Sequence, residues 1–160
     1  MLNNLSFWEK STYLTGIDFA VVGSGIVGLT AAITFKEKHS KAKVVVIERG
    51  VFPSGASTKN AGFACFGSVS ELLEDLETMG TDAVLSLVAQ RWSGLQRLRE
   101  RCGDENLDFQ AHGGYELFLQ GSEAYKECAR QIPFLNEQLT SIIAVSYTHL
   151  TLPTNREVFV

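Results

Sequence analysis

The ten residues from Phe19 to Gly28, Phe-Ala-Val-Val-Gly-Ser-Gly-Ile-Val-Gly, constrain the fold more than any other part of the chain. An apolar run meets a G-x-G-x-x-G turn. Glu48 then closes a second apolar run, Val44-Val45-Val46-Ile47, 20 residues after Gly28. This order predicts strand, tight turn, helix and second strand, a right-handed βαβ unit with a parallel pair. Each part has its own physical job. Gly23 permits the tight turn out of the strand. Gly25 has no Cβ, so backbone can approach a pyrophosphate closely. Gly28 lets the helix pack on the strand. Ser24, Ile26 and Val27 lie in and just after the turn, where free N–H groups and the positive helix end face phosphates. Glu48 can accept a hydrogen bond from a ribose hydroxyl and disfavours a 2′-phosphate there. A lone G-x-G-x-x-G is a weak signal; with both strands, the helix and the spaced acid it points to a dinucleotide site. The bland alternative is a glycine-rich turn in an unrelated α/β domain.

Length and charge set outer limits. A chain of 160 residues, 45% hydrophobic, fits one globular domain and can bury a real core. The net charge of −4 and the pI near 5.4 argue against a nucleic-acid surface. No apolar run approaches the ~18 residues of a membrane span. Residues Met1 to Gly16 lack the apolar centre of a secretory signal. Cys65, Cys102 and Cys128 have no metal spacing. They read as free thiols in a reducing compartment, with a cytoplasmic location as the default and no metal site.

Beyond the βαβ unit the pattern changes. One helical turn is expected near Phe7 and Trp8. The first strand is predicted over Asp18–Val22, apolar as a strand buried on both faces should be. A helix follows from Ile26 to about His39, and the second strand over Lys43–Glu48. Arg49 to Ser68 is a long loop with Pro53, several hydroxyl residues and Asn60, and a loop of this length is usually functional or disordered. From Ser70, apolar residues recur at helical spacing. Gly80 is expected to break the pattern, with Thr81 or Asp82 capping a second helix that Gly103 stops. Phe109–Leu119 reads as a hairpin turned at Gly113-Gly114, with Tyr115, Leu117 and Leu119 on one face. Ser122 is expected to cap a last helix that Pro133 interrupts.

The loop after the acid narrows the cofactor. It carries Gly55-Ala56-Ser57-Thr58-Lys59-Asn60-Ala61-Gly62. Together with the glycine turn and the acid, this G-A-S-x-x-N-[AG]-G segment resembles the D-amino-acid-oxidase-like family of FAD-dependent oxidoreductases, which includes glycine and sarcosine oxidases and D-amino-acid dehydrogenases. The resemblance covers roughly the first 140 residues. It implies an incomplete α/β fold: residues 1–69 as the N-terminal part of a Rossmann-like FAD-binding domain, and 70–144 as the helices and hairpin that begin an α+β substrate domain. It implies FAD in an extended pose, with the adenosine ribose at Glu48 and Arg49 beside the adenine or simply exposed. It also implies that Thr58, Lys59, Asn60, Ala61 and Gly62 run near the ribityl chain and flavin ring. The expected reaction is oxidation of the C–N bond of a small amine or amino acid, with hydride passing to the flavin. An NAD-dependent dehydrogenase and a non-catalytic nucleotide-binding remnant are the alternatives. The catalytic residues and the oligomeric state are left open.

Residues Val145 to Thr154, V-S-Y-T-H-L-T-L-P-T, back-translate in one frame to a string that resembles a transposase mosaic-end adaptor. Segment 145–160 therefore reads as a non-native tail on a gene fragment, inactive alone, and His149 is given no role. Other residues are weighed against simpler roles. His112 is expected to be an exposed hairpin residue. Tyr115, Trp92 and Phe109 are expected in the core, and Cys65 is expected to be a small buried thiol rather than a point of covalent flavin attachment.

Overall fold

The computed structural model describes residues 5–119, 121–143 and 147. The chain divides into two units, 1–63 and 64–160, rather than the single body that its length alone suggests.

In the first unit, helix α1 (Phe7–Tyr13) is longer than the one turn expected, because Ser6 and Glu9 form a capping box at its start. Strand β1 (Phe19–Val22) and strand β2 (Val44–Ile47) pair in parallel, with Phe19 opposite Val44 and Val22 opposite Ile47. Between them runs helix α2 (Ile26–Lys38), ending at His39. The predicted βαβ order is present, and the strands start and stop within a residue of their expected ends. The Phe19 and Phe35 rings stack at 4.4 Å and hold α2 over β1. Lys43 ties α1 to the same place: its Nζ donates to Thr12 O at 2.5 Å and Thr15 O at 2.7 Å, and its backbone N–H donates to the Asp18 carboxylate at 2.8 Å.

The expectation of strands buried on both faces is not met. Val21 is buried, but Val22 is 87% exposed, and Val46 and Ile47 lie open. Val27 on α2 is 80% exposed. Among the described residues, two strands with α2 packed on them are too few layers to cover both faces of a sheet.

The second unit is helical. Helix α3 (Val69–Met79) begins at a capping box made by Ser68 and Glu71. It ends at Gly80, whose φ of +80° favours glycine. Helix α4 (Thr81–Cys102) follows at once and stops at Gly103 as expected. Its N-cap is Gly80 itself, not Thr81 or Asp82, so no side chain caps it. A short helix, α5 (Asp104–Leu107), comes next. Arg99 grips Asp104 with two hydrogen bonds, at 2.8 and 2.7 Å, and lies 4.4 Å over the Phe109 ring. Phe109 is thus half-buried under a guanidinium rather than in the core.

Helix α6 (Glu123–Leu139) is capped by Ser122, as predicted, but it runs straight through Pro133. Proline removes one backbone bond there. The helix nonetheless keeps Cys128, Leu135 and Leu139 in the core on both sides of the proline, and that burial outweighs one lost bond. Val69, Leu72, Val84, Val88, Phe118 and Ile143 complete this core, with Trp92 and Tyr125 packed against it.

The hairpin expected over 109–119 does not form among the described residues; only Leu117 has bridge character. The alternation is real but its sense is reversed. Tyr115, Leu117 and Leu119 share the exposed side, whereas Phe118 enters the core and its ring meets Tyr125 edge-on at 6.0 Å. Glu116, of the same parity as Phe118, bonds Ser70 through both the Ser70 N–H and its hydroxyl at the start of α3. A negative group at that helix end is electrostatically favoured. One charge-capped anchor and one buried ring fix this segment as an extended strap, and an isolated hairpin has no comparable gain in water.

The proposed tail lies outside the described residues apart from Tyr147. Its hydroxyl donates to Gly67 O at 2.6 Å, and its backbone exchanges two bonds with the Asn136 side chain. Burial, then the nearby Glu116 and Glu71 carboxylates, pushes the Tyr147 phenol up to about 12.

Candidate functional site

The C-terminal ends of β1 and β2 place the glycine turn and the acid side by side. Gly23 N–H donates to Ile47 O at 2.7 Å, which carries the parallel ladder one residue past β1. Gly23 then turns with φ +93°, a conformation L side chains rarely adopt. Gly28 comes in from above. A Cβ on it would lie 2.3 Å from Gly23 O and 3.0 Å from Val21 Cγ1, so the missing side chain is what lets α2 sit on β1.

Glu48 is half-buried and carries four donors. Ser24 N–H and Ser24 Oγ–H reach Oε2 at 2.9 and 2.7 Å. Arg49 and Gly50 N–H reach Oε1 at 2.8 and 3.3 Å. These bonds, first those from Ser24 and then that from Gly50, lower the carboxyl from its ordinary 4.5 to about 2. The acid therefore stays charged at neutral pH and ties the turn after β1 to the end of β2. A lowered folded-state pKa means that Glu48 contributes fully above pH ~4.5. That contribution is lost as the pH falls through about 2. Glu48→Gln should flatten this acid limb. The thermal midpoint of the βαβ unit, followed by circular dichroism from pH 7 to pH 2, should fall less steeply in the variant. Identical acid profiles would remove Glu48 as the lock.

The long loop meets the helix end through a residue absent from the sequence-based set. Ser57 belongs to a single 3-10 turn (Ala56–Thr58), and its Oγ accepts from Ile26 N–H at 3.0 Å. A Cβ on Gly25 would stand 3.2 Å from the same Oγ. A bare glycine, a helix N–H and a hydroxyl thus line one small polar cradle. The signal was present in the sequence: Ser57 is the hydroxyl that directly follows Gly55-Ala56, inside a segment otherwise considered from Thr58 onward.

The remaining candidates divide. Ser24, Gly25, Ile26, Gly28, Glu48 and Arg49 are brought together at the turn. Val27 is on the exposed side of α2. Thr58, Asn60 and Gly62 use their polar groups within the loop. Thr58 Oγ1 donates to Pro53 O and Gly55 O at 3.2 and 3.1 Å. Asn60 Nδ2 donates to Ser57 O at 2.9 Å, and its Oδ1 accepts from Gly62 N–H at 2.7 Å. Lys59 and Ala61 are exposed. So is Cys65, against expectation, because the whole stretch 59–65 lies on the surface. The buried thiol is Cys128, raised by burial and then by Glu116 and Glu127. Among the described residues no group of His, Cys, Asp or Glu could hold a metal.

The family model described as FAD dependent oxidoreductase (DAO) matches residues 18–143. The chain belongs to this family. FAD is accordingly its cofactor, and the nicotinamide alternative is not favoured. Neither the curated proteins nor the solved structures gave a match. The DAO match begins at Asp18, one residue before β1, and it takes in the glycine turn, Glu48 and the Ser57 cradle. A turn whose Gly23 and Gly25 lack Cβ atoms, a helix N-terminus and a charged acid at the neighbouring strand end are chemically suited to the adenosine diphosphate half of FAD. No helix among the described residues is long and apolar enough to cross a membrane.

Proposed function

We propose that the chain is the N-terminal part of a longer, cytoplasmic FAD-dependent enzyme that oxidises the C–N bond of a small amine or amino acid. In this reading residues 1–69 begin a Rossmann-like cofactor domain, residues 70–144 begin the substrate domain, and 145–160 are foreign. The observation that carries it is the cradle of Gly25, Ile26 N–H and Ser57 beside a fourfold hydrogen-bonded Glu48, inside a region matched by the family.

The proposed roles combine this geometry with what the resemblance implies. Gly23, the backbone of Ser24, Gly25, Ile26 and Val27 border the pyrophosphate, with Ser57 beside it. Gly28 keeps α2 on the strand. Glu48 takes the ribose, with Arg49 next to it. Residues Thr58 to Gly62 carry the chain on toward the flavin. Bound FAD would supply a hydride acceptor, while protein groups orient the substrate and exclude water.

The test uses both the 160-residue chain and the longer protein to which residues 1–144 belong. Each is loaded with FAD and mixed anaerobically with D- and L-amino acids, glycine and sarcosine. The longer protein should show substrate-dependent bleaching of the flavin band. The 160-residue chain should show none, because a substrate held on one side only cannot reach a near-attack geometry. A longer protein that binds FAD and stays yellow with every amine would refute the proposed chemistry.

A further inference from the structure

One of the four donors on Glu48 differs in kind from the other three. Ser24, Arg49 and Gly50 N–H are backbone groups, fixed by the turn and by the end of β2. The fourth, the Ser24 hydroxyl at 2.7 Å from Oε2, is free to rotate about one side-chain bond. An ionised carboxylate offers about four lone-pair sites in all. Another hydroxyl that reaches Oε2 must therefore take the place of a donor already there. The backbone donors leave only if the turn deforms, whereas the Ser24 hydroxyl leaves by a rotamer change.

We infer that Ser24 is a positioning residue whose hydroxyl exchanges with a ribose hydroxyl on Glu48 and so sets the affinity for the adenosine half of the cofactor. Ser24 acts this way only if Glu48 takes the ribose, as proposed above. The exchange replaces one charge-assisted O–H···O bond with another, so the ligand gains less than it would from an acid with a site to spare. Ser24→Ala removes the competitor. The three backbone donors still hold the carboxylate in place, so its aim is kept. The substitution should then tighten binding, the opposite of what loss of a direct ligand contact would do.

The experiment is calorimetric titration of the 160-residue chain with ADP and with 2′,3′-dideoxy-ADP. It compares the native sequence with Ser24→Ala, Ser24→Thr, Ser24→Cys and Glu48→Ala. Ser24→Ala should bind ADP about three- to tenfold more tightly, within the range for the net contribution of a typical hydrogen bond, and should bind the dideoxy nucleotide unchanged. Ser24→Thr keeps the hydroxyl and should match the native chain. Ser24→Cys, nearly the same size with a much weaker donor, should fall between and guards against a folding defect specific to alanine. Weaker ADP binding by Ser24→Ala, or an equal change for both nucleotides, would overturn the exchange. The role of Glu48 would survive that result if Glu48→Ala still erased the preference for ADP. A native chain that does not distinguish ADP from its dideoxy analogue would overturn the reading of Glu48, and the exchange with it.

Discussion

Gly28→Ala should cost the βαβ unit about 3 kcal/mol or more, at or beyond the usual upper end for overpacking. The added methyl meets a backbone oxygen, Gly23 O, at 2.3 Å, and no side-chain rotation relieves that contact. Alanine is the better helix former by roughly 0.5–1 kcal/mol, so two effects oppose each other. The steric effect wins, because relief requires α2 to move off β1 and Val21 also stands at 3.0 Å. Gly94 in α4 is the control. It too is helical, but a Cβ there would meet nothing within 4 Å. Gly94→Ala should show propensity alone and stabilise its unit by about 0.5–1 kcal/mol. Thermal unfolding of both variants checks this. Equal effects would mean that α2 does not rest on the bare glycine.

Leu72→Ala should cost the helical unit about 3–5 kcal/mol, the upper part of the range for leucine truncation. Leu72 is 0% exposed and central to the cluster with Val69, Val84 and Val88. The backbone beside it has little room to collapse. Gly67, at φ +135°, already lies so close that a Cβ on it would be 2.8 Å from Leu72 Cδ2. Each kcal/mol corresponds to roughly 4–8 °C in the midpoint of a unit this small. Leu117→Ala should by contrast change stability by less than about 0.5 kcal/mol, since Leu117 faces water. Reversed magnitudes would show that the 115–119 strap has been assigned to the wrong face.

The βαβ unit was legible in the sequence because local signals agree there. Two runs of apolar β-formers, glycines at fixed offsets and a basic last helical turn all name the same elements. Helix ends in the second unit were legible wherever Gly80, Gly103 or Ser122 marks them. What failed depended on partners distant in sequence. Alternation over 115–119 shows that two faces exist, but it does not say which one the core will take. Phe118 and Glu116 decide that through Tyr125 and Ser70. Pro133 is a local helix breaker overruled by burial of the residues around it. At the candidate site, spacing alone picked out Glu48. It could not show that Ser24 already holds the acid, or that Ser57 reaches Ile26 from 31 residues away.

The loop after β2 has its own internal frame. The Asn60 side chain fastens Ser57 O on one side and Gly62 N–H on the other, and Thr58 closes onto Pro53 and Gly55. Its grip on α2 is a separate joint, the Ser57 to Ile26 bond. Shape and attachment are thus independent properties of residues 53–62. Loss of the Asn60 amide would let the hoop lose its form while its anchor stays in place. Loss of the Ser57 hydroxyl would unhook an intact hoop. The same stretch of chain thus has two distinct ways to fail, one of form and one of placement, each controlled by a different side chain.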